Sequence, residues 1–101
     1  MAELLSDDQL DDLLPKLPGW CPQDAALVKT VELPSFSLAI MVVNRVAEIA
    51  ENDNHHPDID IRWRTLTFRC STHSEGGITA LDVSLAAEID GVLSAIGASP
   101  R

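Results

Sequence analysis

The sequence predicts an α+β fold: a four-stranded antiparallel sheet with three helices on one face, in the order α-β-β-α-β-β-α. Three observations carry this expectation. Residues 58–63 alternate apolar and polar side chains with period two, and the alternation resumes with shifted parity over 65–71. Residues 36–50 and 81–96 repeat their apolar positions at helical spacing. No internal repeat, low-complexity tract or compositional shift divides the 101 residues, so residues 1–101 are expected to pack as one domain around one core. A chain of this length buries roughly two-thirds of the surface its unfolded form exposes, which allows one modest core and no second.

The first element is a short helix. Ser6 and Gln9 have the spacing of a capping box, Leu10, Leu13 and Leu14 form an apolar stripe, and Pro15 ends the run. Pro18-Gly19 marks a turn before Trp20, and Pro22-Gln23-Asp24 is a second break. Residues 25–33 then read as a strand rich in Leu and Val, which places a hairpin near Asp24. After Pro34 the period changes. Phe36, Ile40, Val43, Ala47 and Ala50, joined by Val46 and Ile49, form the broad apolar face of a helix of about four turns that ends in Asn52-Asp53-Asn54. Ile59, Ile61 and Trp63 next share one strand face, with Asp58, Asp60 and Arg62 on the other. Leu66, Phe68 and Cys70 continue the apolar face, so the shift in parity predicts two strands joined by a tight turn near Arg64-Thr65. Gly76-Gly77 closes the second of these strands. Thr79 and Asp82 again have capping-box spacing, and Leu81, Leu85, Ile89, Val92 and Ile96 form the stripe of a last helix.

Sixteen acidic against seven basic residues give a formal net charge of −9, which repels nucleic-acid phosphates and anionic lipid, so direct binding to nucleic acid or membrane is not expected. No apolar run approaches the ~18 residues that span a bilayer, and the start of the chain lacks the basic and apolar segments of a secretory signal. The expectation is a cytoplasmic protein whose Cys21 and Cys70, far apart and outside any CxxC spacing, are free thiols.

The chemistry points to three histidines. His55 and His56 stand at the exit of the middle helix and His73 at the exit of the last strand, where loops on a rigid scaffold present side chains to ligands. Pro57 disfavours helical backbone at His56, so the adjacent rings are expected to leave the chain on different sides. Such a pair suits divided acid-base work better than chelation of one ion. Glu51, four residues before His55, can reach that imidazole across the last helical turn. The carboxylate and the negative end of the helix both favour a protonated ring. On pattern alone, Glu51 is by default a surface carboxylate, Asp82 is at least as readily a helix cap as a ligand contact, and Trp63 is a core residue. The residues themselves take the reading as far as a histidine-based site.

Glu51-Asn52-Asp53-Asn54-His55-His56-Pro57, then Trp63, Thr72-His73, Gly76-Gly77-Ile78-Thr79 and Asp82, together resemble the signature of the pterin-4a-carbinolamine dehydratases. The resemblance runs outward through Gly19-Trp20 and through Leu85-Ala86 to Ile89-Asp90, nearly the whole chain. It implies that family's fold, a four-stranded antiparallel sheet with helices on one face, and its usual assembly as a homodimer or homotetramer. It also implies a reaction: dehydration of 4a-hydroxytetrahydrobiopterin to a quinonoid dihydropterin, in support of tetrahydrobiopterin recycling, with no metal or redox cofactor. The functional link is to the aromatic amino acid hydroxylase that releases the carbinolamine. His55 and His73 are then the acid-base residues, and His56 is a third member of the catalytic set that binds and positions the pterin. Glu51, Pro57, Trp63 and Asp82 complete the substrate site, the two acids supporting the histidines and Trp63 offering an aromatic surface beside the ring. One departure is Asn54, directly before the histidine pair, where some members carry an acid.

Two other functional classes compete. Some animal relatives also act as dimerisation cofactors of a homeodomain transcription factor, which makes a non-catalytic interaction module the main alternative. A metal-dependent hydrolase is disfavoured, because there is no His-Glu-x-x-His helix and the cysteines are not at ligand spacing.

Overall fold

The computed structural model describes residues 3–96 and the backbone of residues 99–100. The chain begins with helix α1 (Asp7–Leu13), capped as its sequence requires: Gln9 N–H donates to Ser6 Oγ and Ser6 N–H to Gln9 Oε1. A 3₁₀ turn containing Pro15 follows. Strand β1 (Cys21–Gln23) and strand β2 (Ala26–Glu32) form a hairpin whose two-residue turn is Asp24-Ala25. Both turn residues have positive φ, 50° and 63°, the backbone whose twist matches that of the flanking strands. Pro22, expected to break the chain, lies inside β1. It is tolerated there because β1 is an edge strand and Pro costs no ladder bond on an open edge.

Helix α2 (Phe36–Asp53) is capped by Ser35 and runs 18 residues, about five turns, one more than the spacing suggested. Strand β3 (Asp58–Arg62) and strand β4 (Thr65–Cys70) pair with Arg62 opposite Thr65, so their turn is Trp63-Arg64, one residue earlier than expected. Helix α3 (Ala80–Ile96) closes the order, and a two-residue strand β5 (Ser99–Pro100) adds to β2 beside Val31 and Glu32. The sheet is antiparallel throughout, in the order β1-β2-β4-β3.

One face of the sheet is covered. Leu27, Val31, Leu66, Phe68 and Cys70 point into a core shared with Ala39, Val42 and Val46 of α2 and Leu85, Ala86, Ile89 and Leu93 of α3. Leu10, Leu17 and Trp20 close the same core from the N-terminal segment. The helical stripes are in part those expected, with Val46, Ala50, Leu85 and Ile89 buried and Val43, Ile49, Val92 and Ile96 packed against the core, but their edges differ. On α2 the buried row is Ala39, Val42, Val46 and Ala50, while Phe36 and Ala47 are exposed; on α3 Leu81 is exposed. So much of 36–50 is apolar that periodicity alone poorly selects the face, and contact with α3 and the sheet decides it.

A charge also sits in the inward row. Lys29 of β2 is buried, and its Nζ donates to Asp90 Oδ1 of α3 at 2.8 Å and to the Pro18 carbonyl at 2.9 Å. Trp20 Nε1–H donates to the same Asp90 oxygen at 2.8 Å. This cluster ties the N-terminal segment, the sheet and the last helix together. Among the described residues no helix is long and apolar enough to cross a membrane.

Candidate active site

The site begins where α2 stops. Asn54 adopts a left-handed conformation, φ 52° and ψ 41°, which asparagine tolerates better than other side-chain-bearing residues. Its N–H and that of His55 return to the Ala50 carbonyl, so the helix ends in a tight reversal and not by fraying. Pro57 then holds the chain extended into β3. The reversal turns His55 inward and leaves His56 at the surface.

His55 Nε2 lies 2.6 Å from Asp82 Oδ1; the His55 side chain is 13% exposed and that of Asp82 0%. Asp82 stands in the first turn of α3, where its second oxygen accepts from Thr79 N–H at 2.9 Å and from the Thr72 hydroxyl at 2.8 Å. The aspartate therefore caps its helix and holds the imidazole at once. The cap that the spacing allowed and the histidine support that the resemblance implied coexist because a carboxylate has two oxygens.

Glu51 does not reach His55. Its Oε2 meets His56 Nε2 instead, at 2.5 Å, with both side chains more than half exposed. The four-residue offset expected to join Glu51 to His55 holds only while the backbone stays helical, and Asn54 has already left the helix by then. The expectation that the two rings diverge is met: one faces a buried acid, the other a surface acid.

His73 is brought to the same end of the sheet by register. Asp58 pairs with Arg69, so the exit of β4 lies beside the start of β3 and the His55-His56-Pro57 segment. His73 opens a 3₁₀ turn that a Thr72–Gly77 bridge closes, and its exposed side chain has no hydrogen-bond partner among the described residues. Pro57 is half-buried between the histidine pair and β3.

Trp63 is not part of this cluster. It occupies the turn at the other end of β3, about 16 Å of strand away from Asp58. It is also not the core residue that alternation suggested: it is 70% exposed, has φ 54° and stacks against Arg64, whose guanidinium carbon is 4.7 Å from the ring centroid. Strand parity ceased to apply once the chain turned.

Beside His55 opens a cleft of about 420 Å³ between the end of α2 and the start of α3, lined by Asp53, His55, Leu81, Ser84 and Glu88. Hydrogen bonding to Asp53 raises the Glu88 carboxyl above its ordinary value, with burial and the Asp53 charge adding to it. Sequence reasoning gave no role to Asp53 or Glu88 and did not tie Thr72 to Asp82, whereas the Thr79–Asp82 capping contact that the spacing suggested is present. Asp53 sat in view within the polar helix end, whereas nothing in the spacing ties Glu88 to it. No three His, Cys, Asp or Glu side chains converge as metal ligands among the described residues.

The geometry is that of a small α+β scaffold that seats an imidazole on a buried carboxylate beside a cleft. Its family follows from comparison with known proteins. The family model described as pterin 4 alpha carbinolamine dehydratase matches residues 3–92. A protein of Mycobacterium avium (strain 104), provisionally named a pterin-4-alpha-carbinolamine dehydratase, is 54% identical over 89% of this chain and 96% of its own. A likewise named protein of Mycolicibacterium smegmatis is 55% identical over 90% of this chain and 97% of its own. Among solved structures, a transcriptional coactivator/pterin dehydratase of Brucella melitensis superposes with a TM-score of 0.86 at 27% identity, covering 89% of this chain and 98% of that one. A pterin dehydratase-like RuBisCO assembly factor of the alpha-carboxysome shares the fold alone, with a TM-score of 0.63 at 18% identity over 73% of this chain and 88% of that one. The chain belongs to the pterin-4a-carbinolamine dehydratase family, whose named activity is that of a hydro-lyase.

Proposed function

We propose that this protein dehydrates a 4a-hydroxytetrahydropterin to the quinonoid dihydropterin and water, with its histidines as the acid-base groups. The single observation that carries the reading furthest is the His55–Asp82 pair. An imidazole whose one nitrogen is held by a buried carboxylate presents the other in a fixed direction, the arrangement a proton-transfer group needs.

The reaction breaks the C4a–O bond and forms a double bond between N5 and C4a. It needs one proton delivered to the departing oxygen and one taken from N5. Two proton-exchanging groups are therefore required, and His55 and His73, at one end of the sheet, are the two imidazoles assigned to the task in this reading. His56, held at the surface by Glu51, binds and positions the pterin. Asp82 supports His55, and Trp63, at the far end of β3, has no place in this reading.

A groove of about 500 Å³ between α2 and α3, lined by Met41, Arg45, Ile49, Val92 and Ile96 among others, supports self-association of the chain and keeps the interaction-module reading open to test. Sedimentation equilibrium decides it: assembly abolished by Met41→Glu supports association through this groove.

The activity test is absorbance-monitored dehydration of a 4a-hydroxytetrahydropterin generated by a hydroxylase. The parent protein should accelerate it at neutral pH, and His55→Ala and His73→Ala, checked by circular dichroism to be folded, should each lose most of the acceleration. A folded parent with no effect rejects the dehydratase reading in favour of the interaction module.

A further inference from the structure

The buried threonines behind Asp82 have a hydrogen-bond order with only one solution. Thr72 Oγ1 is 2.8 Å from Asp82 Oδ2, and an ionised carboxylate only accepts, so Thr72 donates. A hydroxyl has one proton, so in the 2.7 Å contact between Thr72 Oγ1 and Thr79 Oγ1 the donor must be Thr79. Thr79 Oγ1 in turn accepts Leu81 N–H at 3.2 Å. With Thr79 N–H also on Oδ2 at 2.9 Å, that oxygen is occupied, and Oδ1 is left to the imidazole. Thr79 is 0% exposed and Thr72 6%, so water has little room to substitute for either hydroxyl.

We infer that Thr72 and Thr79 are positioning residues that, through Asp82, fix the neutral His55 ring as the Nε2–H tautomer with Nδ1 presented outward. The inference rests on His55 being an acid-base residue only for its effect on turnover; the tautomer itself follows from the hydrogen-bond order. The donors run one way, from Leu81 N–H through Thr79 and Thr72 to the carboxylate, and the only remaining way to satisfy Oδ1 is a proton on Nε2. Without the Thr72 hydroxyl the carboxylate loses an anchor and can rotate, and Thr79 loses its acceptor. A mispositioned orienting group leaves binding intact and slows chemistry.

The experiment uses the full chain labelled with ¹⁵N at histidine. Two-bond nitrogen–proton spectra should show neutral His55 in the parent as the Nε2–H tautomer. Thr72→Val, equal in shape but without the hydroxyl, should shift His55 toward mixed tautomers and lower kcat roughly tenfold or more with KM little changed. Thr72→Ser, which restores the hydroxyl, should return both the spectrum and kcat toward the parent. A parent spectrum showing the Nδ1–H tautomer overturns the inference even if no variant folds. So does a folded Thr72→Val with the parent's tautomer and kcat. If the tautomer behaves as stated while the parent does not dehydrate the pterin, the positioning inference stands and the dehydratase reading fails.

Discussion

Asp90→Ala should destabilise the protein more than the double change Lys29→Met with Asp90→Ala. Lys29 lies on the inward face of β2 with its side chain 7% exposed, and its ammonium has two oxygen acceptors, Asp90 Oδ1 and the Pro18 carbonyl. The Trp20 ring centroid is 5.9 Å away and adds a weaker attraction. Removing Asp90 alone leaves a nearly buried cation with one carbonyl and also strands Trp20 Nε1–H. Breaking a buried pair from one side costs about 3–5 kcal/mol. Removing both charges avoids the uncompensated cation; the stranded Trp20 N–H, worth about 1–3 kcal/mol, is common to both variants, and Pro18 is exposed, so its freed carbonyl reaches water. The double variant should therefore recover at least about 1 kcal/mol relative to Asp90→Ala. Urea unfolding followed by far-ultraviolet circular dichroism measures this. With a slope of about 1.5 kcal/mol per molar, Asp90→Ala lowers the midpoint by roughly 2–3 M. A double variant no more stable than Asp90→Ala, or an Asp90→Ala cost below about 1 kcal/mol, would refute the burial argument by showing that the ammonium reaches water.

Three further outcomes are expected. Burial, reinforced by the charges of Asp82, Asp58 and Asp90, pushes the Cys70 thiol up to about 12, while Cys21 is exposed. A thiol reagent should accordingly titrate one cysteine in the native chain and two in urea. Above pH 9 the unfolded chain gives up the Cys70 proton that the folded chain keeps, so stability falls by about 1 kcal/mol per pH unit until the folded thiol also ionises, and Cys70→Ala should flatten that decline. Glu51→Gln should change stability by less than about 1 kcal/mol, since its pair with His56 is exposed, and a rise in KM larger than any fall in kcat is the kinetic signature of a positioning role. Trp63→Asn should leave dehydration at the parent rate and relax the left-handed turn by about 1 kcal/mol, less the lost Arg64 stacking; a large rise in KM would return Trp63 to the substrate site.

Each feature legible in the chain depended on neighbours close in sequence. The Ser6–Gln9 capping box, the Asp24 hairpin, the alternation that made β3 and β4, and the Asn52-Asp53-Asn54 end of α2 all appear where local spacing put them. The divergence of His55 from His56 was likewise readable, because Pro57 acts on the residue before it. Where the pattern misled, a local rule had been carried past the end of its element. Helical spacing gave Glu51 to His55 two residues past the end of the helix, and strand parity put Trp63 in the core when it was already in the turn.

The sequence by itself determined the element order and the fold class, and it drew attention to the three histidines on which the proposed chemistry rests, since backbone propensities, caps and periodicity act over a few residues. Only the tertiary structure decided which acids His55 and His56 meet, which face of α2 is buried, and that Lys29 lies inside against Asp90. His55 and Asp82 are 27 residues apart, and Lys29 and Asp90 are 61. Pairings of that separation follow from how the sheet and helices pack, because a buried charge or imidazole must take the partner that packing brings within hydrogen-bond reach, whatever its distance along the chain.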